Sequence, residues 1–199
     1  KIFDHNRLLS TINFSNNNLK SIGLNTFSNL TATPFISDLS LRNNNLTSFE
    51  PWPFINLGKF TETNIDLSHN EIRKISNELD WSFECGLLSI MNGRLDMSNN
   101  KLTRLSDFQQ TLIFPTFHDV ECMWTDLFEF HGQNNEFICD CIEYKWIKMI
   151  QSPGALTDQM TCHSPIPGLP KNPKMVSLPL EALVCNHTCF QDQCHCIER

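Results

Sequence analysis

The chain has 199 residues, 40% of them hydrophobic, and a formal net charge of −7 from 22 acidic and 15 basic side chains. That length suits one domain or one segment of a longer array, and the acidic balance disfavours a role built on neutralising phosphates, so nucleic acid is not an expected partner. No run approaches the roughly 18 to 20 apolar residues of a membrane span, and no secretory leader is recognisable.

From the N-terminus, Phe3 stands where the tail of a preceding repeat belongs, so the chain is expected to begin midway through one and to end at a fragment boundary. The pattern L-x-x-L-x-L-x-x-N-x-L then fits Leu9, Ile12, Phe14, Asn17 and Leu19, and again Ile36, Leu39, Leu41, Asn44 and Leu46. Two copies keep only its back half. They are Ile65, Leu67, Asn70 and Ile72, led by Glu62, and Leu95, Met97, Asn100 and Leu102, led by Asn92. A fifth copy, Leu127, Phe130, Asn135 and Phe137, has Gly132 at its third apolar position. The starts at 9, 36, 62, 92 and 127 give spacings of 27, 26, 30 and 35 residues, so the repeats lengthen along the array. The tails agree too: Leu19, Ile22, Phe27 and Leu30 coincide in spacing with Leu46, Phe49, Phe54 and Leu57.

The alternation L-x-L predicts a short strand with its apolar residues inward and the intervening residues outward. Each repeat supplies half a core, and stacking completes it. Where the chain leaves the strand and turns inward, an asparagine side chain can satisfy backbone groups that would otherwise cost about 1 to 3 kcal/mol each. Asn17, Asn44, Asn70, Asn100 and Asn135 are therefore expected to be structural. Phe27 and Phe54 read as an apolar spine on the opposite side. On these repeats the chain resembles the extracellular leucine-rich repeat family over nearly its whole length. The resemblance implies an α/β leucine-rich repeat solenoid bent into a horseshoe, with short parallel strands on the concave side and irregular or 3₁₀ segments on the convex side.

Nine cysteines and four N-x-S/T sequons, at Asn13, Asn29, Asn45 and Asn186, point to an oxidising secretory compartment. All four asparagines are candidate glycan carriers, and a glycan on Asn13 would obstruct one end of the concave face. Cys139-x-Cys141, followed by Cys162 and Cys185, admits three connectivities, and a bridge within C-x-C is strained, which favours separate partners. The segment resembles the C-terminal flanking cap of extracellular leucine-rich repeats. That resemblance implies Cys139 with Cys162, Cys141 with Cys185, and a short helix carrying Tyr144 and Trp146 over the last repeat. The rival reading is a zinc site using Cys139, Cys141 and His163 or His195, but C-x-x-C knuckles are absent. Cys85 and Cys122, in neighbouring repeat tails, are expected to bridge. Cys189, Cys194 and Cys196 resemble the opening of an N-terminal flanking cap whose fourth cysteine would lie past Arg199. The expected organisation is repeats over 1–138, a cap over 139–185 and the start of a second cap over 186–199.

A closing cap followed at once by an opening one, with the string Met160-Thr161-Cys162-His163-Ser164-Pro165 and the run from Ser177 to Cys185, resembles invertebrate-type Toll ectodomains. This implies a ligand-binding segment of a Toll-like receptor in innate immune or developmental signalling, held outside the plasma membrane by a segment not in this sequence. Its implied partners are a protein ligand or microbial pattern molecule and a second receptor copy. The alternative is a secreted or cell-surface Slit-like adhesion protein. No catalytic residues, metal or cofactor are expected, since His5, His69, His118 and His131 lack ligand spacing and no nucleophile with a positioned base is visible. Candidate ligand contacts are the outward residues Arg42, Asp66, His69, Arg94 and Asp96. Asp66 and Asp96 occupy equivalent positions one turn apart, a mild repulsion that a basic partner would relieve.

Overall fold

The computed structural model describes residues 8–23, 26–27, 36–50, 54, 63–75, 93–104, 128–151, 159–183, 189–190 and 193–194. Five short strands, β1 (Thr11–Asn13), β2 (Asp38–Ser40), β4 (Thr63–Asp66), β6 (Gly93–Asp96) and β7 (Phe128–His131), lie side by side in chain order as one parallel sheet. In the repeat tails, β3 (Ser48–Phe49) and β5 (Lys74–Ile75) form a second, two-stranded parallel ladder. The architecture is a leucine-rich repeat solenoid with a disulfide-stapled C-terminal cap.

The register keeps every repeat in phase. Ile12 pairs with Leu39, Leu39 with Ile65, Ile65 with Leu95 and Leu95 with Phe130. Because side chains alternate along a strand, a one-residue slip would turn this whole apolar row outward. All five residues are buried, as are Leu41, Leu67 and Met97 two positions on. Behind them Phe27, Phe54 and Phe49 are buried, with ring centroids 5.5 Å apart for Phe27 and Phe54 and 5.6 Å for Phe49 and Phe54. Burying such a ring contributes about 1.5 to 3 kcal/mol.

The inward asparagines join consecutive turns. Asn70 donates from Nδ2 to the carbonyls of Leu41 in the preceding repeat and Leu67 in its own, both at 3.0 Å, and its Oδ1 accepts from the Leu46 amide at 3.1 Å. Asn44, Asn100 and Asn135 repeat this clasp on Leu19, Ile72 and Leu102. Asn17 makes the same bonds within its own turn, donating from Nδ2 to the Phe14 and Ser15 carbonyls at 3.0 and 3.1 Å.

Glu62 and Asn92 lie outside the described residues, and the strand entries beside them are built differently from the leucine pattern. Thr63 is buried and donates from Oγ1 to the Ile36 carbonyl at 2.7 Å. Its partner Gly93 has φ +125°, and a Cβ there would overlap the Thr63 backbone, so only glycine allows the approach.

After β7 the chain leaves the solenoid through a 3₁₀ turn (Cys141–Glu143) and α1 (Tyr144–Ile150). Asp140 caps the turn by accepting from the Ile142 amide at 3.0 Å. The buried face of α1 is Ile147 and Ile150, one helical turn apart, with Tyr144 half-buried against the same core. Trp146 is part of α1, but its side chain is outside the described set. The cap and repeats share one continuous core running from Ile12 to Leu183. Gly132 explains itself here. A Cβ at that position would fall 2.6 Å from Met160 Sδ and 2.8 Å from the Phe130 ring, so the cap's methionine takes the space a leucine fills in other repeats.

Two stability measurements test this scheme. Asn70→Ala, which strands buried amide and carbonyl groups, is expected to lower the unfolding free energy by on the order of 3 kcal/mol, and Asn17→Ala by less than about 1 kcal/mol. Denaturant titration of both variants checks the contrast. Gly132→Leu restores the leucine pattern yet is expected to destabilise by about 1 to 3 kcal/mol through overpacking, with proteolytic nicking of the cap preceding global unfolding.

Candidate functional site

The outward face of the five-stranded sheet is a grid. One column reads Thr11, Asp38, Asn64, Arg94, Glu129; the next reads Asn13, Ser40, Asp66, Asp96, His131. Every position is polar, so nothing apolar has to be covered on this side.

Local bonds organise the grid. Asp66 Oδ1 accepts from the Ser68 amide at 2.9 Å and the Ser68 hydroxyl at 2.6 Å, and Arg42 Nη1 donates to that same hydroxyl oxygen at 2.7 Å. Asp96 Oδ1 accepts from the Ser98 amide at 3.0 Å while Oδ2 receives Arg94 Nη2 at 2.7 Å. Asn13 makes the corresponding pair with Ser15. These are Asx turns that end β1, β4 and β6. Asp96 is only 9% exposed, and both carboxylates of the pair have local partners, with Arg94 on Asp96 and Arg42 on the Ser68 hydroxyl that bonds Asp66. The pattern Asn13-x-Ser15, Asp66-x-Ser68, Asp96-x-Ser98 carried this signal in the sequence. Across the ladder, Asn64 Nδ2 donates to Asp38 Oδ1 at 3.1 Å, and on β7 His131 Nε2 stands 3.3 Å from Glu129 Oε2.

Of the five candidate contacts, Arg42 and His69 are exposed, Asp66 and Arg94 half-buried, and Asp96 buried. His69 is not on a strand. It occupies the left-handed turn position, φ +56°, held in the other repeats by Asn16, Asn43, Asn99 and Asn134. Asn13 and Asn45 are both exposed. Asn29, Asn186, Cys85, Cys122, Cys185 and Cys196 lie outside the described residues.

At the end of the face, Cys139 and Cys162 form a disulfide with Cα atoms 5.5 Å apart, and Cys141 is also disulfide-bonded. These bonds consume thiols that the zinc reading needed, and no group of three His, Cys, Asp or Glu side chains among the described residues is placed to hold a metal ion. β8 (Cys189–Phe190) and β9 (Gln193–Cys194) pair antiparallel, with Cys189 opposite Cys194. Sequence reasoning missed a clamp beside the cap. Arg104, in the tail of the fourth repeat, reaches both Asp140 oxygens, at 3.2 and 3.0 Å, and Glu143 Oε1 at 3.3 Å. Glu143 is 1% exposed, so its charge is held away from water beside this guanidinium. The Asp140 hydrogen bonds are the largest influence raising the Arg104 pKa. No helix among the described residues is long and apolar enough to cross a membrane.

No family model and no curated protein matches the chain. Among solved structures it is similar to human 5T4 (Wnt-activated inhibitory factor 1, trophoblast glycoprotein), at 17% identity and a TM-score of 0.47 over 79% of this chain and 52% of that one. It is also similar to a chain of the Drosophila Toll–Spatzle complex, a molecular hub in development and innate immunity, at 18% identity and a TM-score of 0.33 over 92% and 33%. A third likeness is to the leucine-rich repeat domain of APL1B, at 17% identity and a TM-score of 0.30 over 69% and 46%. The chain spans about half the length of these proteins or less.

The Asx turns make a pH prediction. For Asp96, burial opposes ionisation, yet the hydrogen bonds from Ser98 and Arg94 outweigh it and hold the carboxyl below its ordinary value. A depressed folded pKa gives stability that is present above the unfolded value, about 3.9, and lost as pH falls through the folded one. The stability advantage of the wild type over Asp96→Asn is therefore expected to be constant near neutrality and to shrink below about pH 4, as read by urea unfolding from pH 6 to pH 2.5.

Proposed function

We propose that this chain is a ligand-binding segment of the extracellular part of a Toll-like receptor, in which the outward face of the sheet meets a protein ligand or microbial pattern molecule. The observation that carries the reading is the grid itself: five in-register strands present ten outward positions, all polar and of mixed charge, on a rigid support. The core lies wholly on the other side of the sheet, so selection for folding alone does not require this spread of charge. Disulfides at Cys139 and Cys141 support a secretory, oxidising environment. With repeats over 1–138, a cap over 139–185 and a second cap opening at 186–199, the chain is a junction between two repeat blocks, the feature in which it resembles Toll. Signalling belongs to parts of the receptor beyond this segment. Here the chain binds and does not catalyse.

Electrostatic complementarity of such a face governs specificity and on-rate more than bulk affinity. The test is a screen of secreted proteins and microbial cell-wall glycans against the immobilised, secreted receptor ectodomain. Binding of a hit is expected to fall at least tenfold in the double variant Arg42→Glu with Glu129→Arg, both exposed on the sheet side, and to be unchanged in Lys74→Glu on the opposite ladder. Equal losses in both variants, or loss only in Lys74→Glu, would remove the sheet face from the proposal. A disulfide map extended past residue 199 separates Toll from the adhesion alternative, with one of Cys189, Cys194 or Cys196 expected to join a downstream cysteine.

A further inference from the structure

A repeat protein carries its own comparison, because equivalent places in successive turns meet the same demands from the fold. Two columns at the strand exits are nearly uniform. Two residues before the inward asparagine stand Ser15, Ser68, Ser98 and Gln133, with Arg42 in the second repeat; one residue before it stand Asn16, Asn43, Asn99 and Asn134, with His69 in the third. The two departures are neighbours. The Asn43 amide donates to the Ser68 carbonyl at 3.0 Å, which sets Arg42 and Asn43 beside Ser68 and His69. Neither departure serves the turn it occupies. The Arg42 amide lies 3.5 Å from Ser40 Oγ, where the Asx turns of β1, β4 and β6 bond at 2.9, 2.9 and 3.0 Å. His69 interrupts the sideways links that join Asn43 to Asn16 and Asn134 to Asn99.

Arg42 is held in place and left open. The Ser68 hydroxyl gives its one proton to Asp66 Oδ1 at 2.6 Å, so its oxygen accepts from Arg42 Nη1 at 2.7 Å. That contact is with a neutral group, and the guanidinium forms no ion pair among the described residues. Arg94, by contrast, is closed by Asp96 at 2.7 Å, and Arg104 by Asp140 and Glu143. Arg73 is unpaired too, but it lies in a repeat tail and no hydrogen bond among the described residues fixes its side chain. Beside Arg42, His69 is exposed and its ring makes no hydrogen bond among the described residues. Imidazole donates an N–H in its neutral form as well as in its charged one.

We propose that Arg42 and His69 form a docking point for a carboxylate of a protein partner, an aspartate or glutamate side chain that lands at the exits of β2 and β4. The inference rests on the recognition role proposed above for the sheet face and gives the partner's contact a charge. With Nη1 committed to Ser68, the Nε and Nη2 edge of the guanidinium matches the two oxygens of a carboxylate, and the serine bond restrains that plane beforehand. The imidazole supplies a further donor from the next repeat. A free small anion is poorly held here, since both groups are exposed to water and an exposed ion pair contributes little. A carboxylate carried on a protein is desolvated by the contacts around it. The outward aspartates do not reverse the sign: Asp38, Asp66 and Asp96 are engaged by Asn64, Ser68 and Arg94, so the charge left without a counter-ion at these exits is positive.

A phage-displayed library of short random peptides, selected on the immobilised, secreted receptor ectodomain, tests the assignment. The enriched peptides are expected to share an aspartate or glutamate whose replacement by the amide lowers affinity about tenfold. Arg42→Ser and His69→Asn return both columns to their repeat pattern, so the thermal midpoint is expected to hold or rise. Arg42→Ser is expected to cost the acidic peptides about tenfold and the amide peptides nothing further, and His69→Asn to weaken the acidic peptides by a smaller factor. Arg42→Lys should recover only part of the loss, because an ammonium lacks the planar fork that pairs two oxygens. Peptides enriched without acidic residues, no enrichment at all, or acidic peptides that bind the Arg42→Ser variant as well as the wild type overturn the inference. Retention of sulfated heparin that is lost in Arg42→Ser, with no acidic peptide enriched, gives the site to a glycan and overturns it likewise. Glu129→Arg separates the two readings: peptides that ignore Arg42 yet weaken with Glu129→Arg leave the sheet-face role standing, whereas peptides that ignore both remove it too.

Discussion

A chain that must return to the same strand register every 26 to 35 residues has to turn sharply inward at the end of each strand, and that turn pushes peptide groups into an apolar interior where no water can reach them. One residue in each repeat answers this. Asparagine suits the place because it offers both an acceptor and two donors on a short stem. Aspartate would lack the donors, and leucine would leave the amides of Leu46, Ile72 and Leu102 and the carbonyls of Leu41, Leu67 and Met97 unpaired. Since each side chain bonds its own repeat and the one before it, the asparagines fix not only a turn but the stacking of one turn on the next. The strands, the leucine rows and the phenylalanine spine all rely on that spacing.

A solenoid held by neighbour contacts has to end somewhere, and the last repeat shows how its open edge is closed. The leucine position becomes Gly132 so that Met160 can enter. The backbone is tied across by His163 donating to the Phe137 carbonyl at 2.6 Å, and by Cys139 donating to Ser164 Oγ at 3.1 Å beside the Cys139 disulfide. Arg104 then reaches from the preceding repeat to Asp140 and the buried Glu143. Removing the arginine would take a positive charge from beside a buried carboxylate. Covalent, apolar and ionic links thus act on one short segment. The cap belongs to the same core as the repeats and does not sit on it as an appendage.

Much of this was legible from residue spacing. The leucine and asparagine periods located the five strands, and the equal spacing of Phe27 and Phe54 in their tails placed both rings in the interior, because these features follow from a local pattern repeated many times. What escaped has different physical origins. Gly132 stood out as a gap, but its reason lies 28 residues away in Met160, and no periodicity links them. Arg104 and Glu143 are 39 residues apart and meet only after the chain has folded back. At Thr63 and Gly93 a hydrogen-bonded hydroxyl and a close backbone approach replace apolar burial, so a search for leucine finds nothing. The aspartates Asp66 and Asp96 were visible as outward charges, and the serine two residues after each was visible too. What their outward position did not reveal is the short-range bonding that Asx residues make with their own backbone.

That local bonding bears on what the sheet face can do. A polar surface carried on flexible loops loses conformational freedom when it binds, and this loss subtracts from affinity. Here the outward residues project from strands whose exits are pinned by Asx turns at Asn13, Asp66 and Asp96 and whose turn residues are linked sideways, Asn43 to Asn16 and Asn134 to Asn99. His69 stands at the middle of that sideways row in place of an asparagine, where it is exposed and breaks the run. The exits of β1, β4 and β6 are thus held by bonds within the chain, while Thr11, Arg42, Asn64 and Glu129 stand exposed on the sheet side. Asp66 and Asp96, which stand outward in the strand pattern, are committed to shaping the strand ends.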